Sequence, residues 1–109
     1  MSDIQKIETL AALEELLERS REQPVWIFKH SLTCPISGMA WNEFRRFALQ
    51  ETKAVCALIE IQRARPVSSA LAERTGVRHE SPQAILLRGA RVAWYASHYD
   101  INLTALEKA

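Results

Sequence analysis

The sequence predicts an α/β fold, a mixed central sheet of four or five strands with helices on both faces. Two apolar runs of strand length, Val25 to Phe28 and Ala54 to Ile61, the second broken only by Glu60, flank a stretch of helical periodicity. Runs of this kind belong to strands covered on both faces. A strand, helix, strand unit of this length implies a right-handed parallel crossover. Two further strand-like runs, Ala84 to Leu87 and Val92 to Tyr95, are separated by Arg88-Gly89-Ala90-Arg91, a connection of hairpin length, so they should pair antiparallel.

Taken in order, Ile4 and Ile7 mark a short first strand, and Thr9 is a candidate N-cap. From Leu10 to about Arg19, Leu10, Leu13, Leu16 and Leu17 recur every three or four residues with Glu14, Glu15 and Glu18 between them, giving a helix with one buried face. Gln23-Pro24 ends that segment, and after the apolar run Lys29 and His30 lead into a loop. Pro35 fits the first position of a second helix. Ile36, Ala40, Phe44, Phe47 and Ala48 share a face of it as far as about Glu51, and Trp41 widens that face.

Pro66 opens a third helix containing Val67, Ala70 and Leu71, and Gly76 suits a left-handed C-terminal turn. Residues 78 to 82 read as loop. Ile101, Leu103 and Leu106 predict a short last helix capped at Asn102 or Thr104. The 109 residues, 48% hydrophobic and 25% charged, correspond to one domain spanning 1–109, large enough to bury a core without disulfides or metals.

Charge and composition exclude several classes. Fourteen Lys plus Arg against thirteen Asp plus Glu leave a formal charge of +1, which offers nothing to nucleic acid or to an anionic membrane. There is no apolar run of membrane-spanning length and Met1-Ser2-Asp3-Ile4 has no leader pattern, so the expected address is cytoplasmic. In that reducing compartment Cys34 and Cys56 are expected as free thiols.

The chemistry centres on Ser31-Leu32-Thr33-Cys34-Pro35-Ile36-Ser37. With Pro35 at the first helical position, Cys34 is the N-cap, where unpaired amides and the helix dipole favour a thiolate. Local physics alone suits a nucleophile, a metal ligand or an inert cap. Cys56, inside an apolar strand, reads as core. His30, His79 and His98 show no ligand spacing with Cys34, so no metal is expected.

A βαβ unit with Cys at the start of its helix, then a helix, a Pro-containing loop and a hairpin, resembles the thioredoxin fold. Thr33-Cys34-Pro35-Ile36-Ser37, His79-Glu80-Ser81-Pro82-Gln83, and Trp94 through Ser97-His98 together resemble the monothiol bacilliredoxins, small bacterial proteins of the bacillithiol system. This resemblance implies a thiol-disulfide oxidoreductase that removes bacillithiol from protein mixed disulfides through Cys34. Bacillithiol would be a co-substrate, with no tightly bound cofactor. The partners would be bacillithiolated proteins and a low-molecular-weight thiol or a partner redoxin as reductant.

Ser37 stands where dithiol thioredoxins carry the resolving cysteine, so Cys34 can attack but needs an external thiol for release. The resemblance also makes Ser81-Pro82 a cis peptide bond facing the thiol, with the Ser81 backbone pairing with substrate. Thr33 could donate its hydroxyl to the sulfur. His79 could stabilise the thiolate as an imidazolium or could hydrogen-bond its loop, and Lys29 could lower the thiol pKa from the strand end or, as expected, be solvated. Arg78, Arg88 and Arg91 could meet carboxylates of a small thiol or could be unspecific surface. Two readings from other classes are a thioredoxin-like binding module and an iron-sulfur or metal carrier like the monothiol glutaredoxins. The carriers have glycine after the cysteine, where this chain has Pro35.

Overall fold

A computed structural model of the chain describes residues 4–51 and 53–109. The expectation of no leader rests in part on Met1, Ser2 and Asp3, which lie outside the described residues. The elements are β1 (Ile4–Lys6), α1 (Leu10–Arg19), β2 (Val25–His30), α2 (Pro35–Gln50), β3 (Val55–Glu60), α3 (Arg65–Thr75), β4 (Gln83–Arg88), β5 (Arg91–Ser97) and α4 (Leu103–Lys108). Short 3₁₀ turns at Ile61–Arg63 and His98–Asp100 follow β3 and β5.

One sheet of five strands has the order β1-β3-β2-β4-β5. β1, β3 and β2 run parallel, β4 runs antiparallel to β2, and β5 antiparallel to β4. The alternation of side chains along each strand divides the interior between the two faces. Val25 and Ile27 of β2 join Leu13, Leu16 and Leu71 from α1 and α3 on one side. Trp26 and Phe28 join Phe44 and Phe47 of α2 and Leu106 of α4 on the other.

Several expectations shift in detail. Leu10 is 52% exposed, because it lies at the rim of the leucine stripe and in the first turn, where the helix has not yet reached the sheet. On α2, Ile36 is half-buried and Ser37 is the side chain enclosed at that end. Lys29 and His30 are the last residues of β2, from which the chain passes into the loop as expected. α3 starts one residue before Pro66.

The caps follow their local chemistry. Thr9 accepts from Ala12 N and Asn102 from Ala105 N, each supplying an acceptor to an amide with no partner inside the helix. Gly76 ends α3 at φ 74. Gly89 and Ala90, at φ 60 and 63, give the hairpin two left-handed turn residues, the geometry that matches the twist of its strands. The tip is tied to the end of α1, since Gly89 N donates to Ser20 O at 2.6 Å and Ala90 N to Ser20 Oγ at 2.8 Å. That tie lies at the end of the sheet where Leu87 faces Val25, leaving the end with Lys29 and His30 to the chemistry-bearing loops.

Candidate thiol site

Cys34 is the N-cap of α2 and half-buried, with extended backbone (φ −104, ψ 120), and Pro35 begins the helix. Its carbonyl accepts the helical bond from Gly38 N at 3.2 Å, and its side chain makes no capping hydrogen bond. The sulfur is therefore not committed to the cap, at the helix end whose first amides have no partner inside the helix.

The loop leading to it is fastened on two sides. Ser37 is 0% exposed, and its Oγ accepts from Ser31 N at 2.8 Å and lies 2.8 Å from His30 Nδ1. The Ser37 hydroxyl has one proton and two lone pairs, so it takes the Ser31 amide and still meets Nδ1 of either neutral tautomer of His30. Burial lowers the His30 pKa and Glu60 partly opposes that, in keeping with an uncharged ring. That ring stacks on Trp41 at 5.7 Å between centroids. On the other side, Gln62 Oε1 accepts from Leu32 N at 3.0 Å, while its Nε2 donates to Ser31 Oγ at 3.0 Å and Thr33 Oγ1 at 3.5 Å. Thr33, considered above as a donor to the sulfur, is exposed and is engaged by Gln62.

The second loop arrives from α3. The Ser81-Pro82 peptide bond is cis, and Pro82 O accepts from His98 N at 3.0 Å. This bond joins the loop before β4 to the segment after β5, two of the three features singled out in the sequence. Beside them, a cavity of about 400 Å³ is lined by Ile36 and Met39 of α2 and by His98 and Tyr99.

His79 ties the loop that carries it to β2 and α3. Its Nδ1 lies 3.1 Å from Lys29 Nζ and 3.2 Å from Ser68 Oγ. Burial lowers its pKa first, then Lys29 and Arg65 add to the effect and Glu80 opposes it. These contacts and the two cations favour the uncharged ring. Lys29 corrects the expectation of solvation, because it is 0% exposed and donates to Ser68 O at 3.1 Å. Burial brings its pKa down from 10.5 to about 8.

Cys56 is 0% exposed in β3, and burial, assisted by Glu51, pushes its thiol up to about 12. Arg88 and Arg91 face each other beside the hairpin turn, at the end of the sheet away from His30, whereas Arg78 is in the loop before Pro82. All three are exposed. Among the described residues, no group of three or more His, Cys, Asp and Glu could hold a metal ion.

The sequence reading missed His30 and Gln62 as supports. His30 had a signal, since it shares strand parity with Trp26 and Phe28 and so had to face α2. Gln62 had none, because its reach to residues 31 to 33 depends on how the turn after β3 folds over the loop.

Residues 5–106 match the family described as Monothiol bacilliredoxin BrxC. The chain belongs to the monothiol bacilliredoxin family. Among solved structures, a candidate oxidoreductase with a thioredoxin fold is 31% identical, with 96% of this chain and 91% of that chain covered and a TM-score of 0.86. Thioredoxin from Fasciola hepatica is 12% identical over 96% of this chain and 94% of its own, at a TM-score of 0.78. Thioredoxin from Trypanosoma brucei brucei is 8% identical over 97% and 88%, at the same TM-score of 0.78. The two thioredoxins establish the shared fold, and family membership together with that fold makes this monothiol bacilliredoxin a thiol redox protein.

Proposed function

We propose that the protein is a monothiol thiol-disulfide oxidoreductase that removes bacillithiol from protein mixed disulfides. The observation that carries this reading is a half-buried Cys34 at a helix N-cap with an enclosed serine, Ser37, three residues later. In the first step the Cys34 thiolate attacks the bacillithiol sulfur of the mixed disulfide. The Cys34 to bacillithiol S–S bond forms, the old S–S bond breaks, and the target cysteine leaves as a thiolate that takes a proton from water.

In the second step an incoming thiolate, from bacillithiol or a partner redoxin, attacks that bacillithiol sulfur. It leaves as a disulfide with bacillithiol and restores the Cys34 thiolate. The two electrons delivered to the target thus come from Cys34 and are replaced by the external thiols. Thr33, Pro35, Ser37, His79, Ser81 and Pro82 support the reaction by shaping the two loops, bacillithiol is a co-substrate, and no tightly bound cofactor takes part.

Intact mass spectrometry of the reduced protein mixed with a bacillithiolated target tests this. The expected outcome is one bacillithiol adduct on Cys34 with loss of the same mass from the target, and neither change with Cys34→Ser. A target that stays modified in the presence of wild type refutes it, and equal transfer from a glutathionylated target refutes the bacillithiol assignment.

A further inference from the structure

Lys29, Ser68 and Gln83 are buried polar residues, at 0%, 3% and 0% exposure, gathered beneath the loop of residues 78 to 82. Their positions follow from strand parity. Lys29 shares the face of Val25 and Ile27, which α1 and α3 cover, and Gln83 is its partner across β2 and β4. A buried ammonium ordinarily has a carboxylate beside it. Here the acceptors recorded for Lys29 are neutral, Ser68 O and His79 Nδ1, each at 3.1 Å. Gln83 Nε2 adds a bond to Arg78 O at 3.0 Å. The loop is thus held from below at residues 78 and 79, just before the cis Ser81-Pro82 bond.

This arrangement dictates what His79 presents to solvent. An ammonium can only donate, so Nδ1 is the acceptor and the ring proton is on Nε2. His79 is exposed, so Nε2–H is available on the outer side of a ring whose inner nitrogen is occupied. The charges acting on it are Lys29 and Arg65, both positive, with Glu80 alone opposing them. A neutral N–H donor in a field of this sign suits an anionic acceptor. Lys29 is at the end of β2 that leads into Cys34, and Pro82 accepts from His98 beside the cavity that starts at Ile36.

We infer that His79 Nε2–H, oriented by Lys29 from beneath, is a subsite for a carboxylate on the mixed disulfide that Cys34 attacks. The inference rests on the exchange reaction proposed above and names a chemical feature of its substrate. The carboxylate belongs either to the small thiol or to an acidic residue flanking the cysteine of the target.

The test is a set of second-order rates for reduced protein at pH 7 with three small disulfides bearing a carboxylate, a hydroxyl and an amine. A fourth substrate is a peptide disulfide with or without Asp beside its cysteine. Each rate is divided by that of a free model thiol to remove intrinsic reactivity. A charge-assisted hydrogen bond to the carboxylate predicts a preference of about tenfold for the carboxylate disulfide over the hydroxyl one. His79→Phe should abolish the carboxylate-to-hydroxyl rate ratio whatever its effect on the two absolute rates, His79→Gln should retain part of that ratio, and Lys29→Met should reduce it.

Loss of preference with the small disulfides assigns the subsite to the low-molecular-weight half, and loss only with the Asp peptide assigns it to the target half. A preference unaltered by His79→Phe in both series overturns the inference. Because His79→Phe removes an acceptor of the buried Lys29, the double variant Lys29→Met with His79→Phe, which leaves no buried ammonium short of a partner, is measured beside it and should show the same loss of preference. A Cys34 inert to every disulfide sinks the exchange reaction as well, whereas a reactive Cys34 without charge preference sinks the subsite alone.

Discussion

Lys29 illustrates how a single side chain can cost stability where it serves a site. In the unfolded chain its pKa is near 10.5, and in the fold burial lowers it to about 8. Between these values the unfolded chain holds a proton that the folded one lacks, so the unfolding free energy rises with pH. Below pH 8 both states are charged and the fold bears the full cost, about 3 kcal/mol. We predict that wild type gains roughly that much relative to Lys29→Met between pH 7 and 10.5, measured by urea unfolding across the range. Parallel pH curves for the two proteins would refute the assignment. Cys56 acts in the opposite direction, because its raised pKa makes the fold lose stability as pH climbs above 9 toward 12, but that contribution is common to both and cancels. Nothing in Lys29 as a letter distinguished burial from solvation, since the outcome depends on α3 and the loop of residues 78 to 82 covering the end of β2.

At the scale of elements, α4 is short and depends on its surroundings. Its six residues make it marginal alone, yet it brings Leu106, 1% exposed, into the core on the α2 side. Two bonds hold its start: Asn102 Oδ1 accepts from Ala105 N at 2.9 Å, and Glu43 Oε1 on α2 accepts from Leu103 N at 3.0 Å. Asn102→Ala should cost about 1 kcal/mol in equilibrium unfolding while leaving Cys34 alkylation unchanged, and a loss below a few tenths would show that the Glu43 contact suffices. The sequence left Asn102 and Thr104 as alternative caps, and the structure chooses Asn102 because Thr104 is already inside the helix. Periodicity located α1, α2 and α3 well, since each buries a stripe against a sheet face. It failed at Leu10 and Ser37, where the end of a helix decides whether a residue on or beside the stripe is covered.

For the whole molecule, one sheet separates two cores and collects its working loops at one end. Residues 31 to 34, the turn after β3 and the loop before Pro82 converge where the parallel strands β2 and β3 finish, the usual place for a site in such sheets. The parallel crossover and the hairpin were legible from continuous apolar runs and a Gly-containing connection. The insertion of β4 beside β2, which brings Gln83 opposite Lys29, is a long-range pairing that local pattern does not encode, and with it went the buried support of His79. Cys34 itself was legible because Pro35 fixes where the helix begins. The position of Gln62 over its loop was not. No helix among the described residues is long and apolar enough to cross a membrane.

The burial of Cys56 and the serine at position 37 leave the chain with one reachable thiol, and so with a covalent valence of one. An object of valence one can be capped or paired, but it cannot be a link in a chain. Oxidation without any small thiol should therefore stop at a two-chain species joined through Cys34. On a non-reducing gel this predicts monomer and dimer with no ladder above them, and only monomer for Cys34→Ser. Higher bands in wild type would mean that Cys56 becomes reachable on a timescale the packed sheet does not allow.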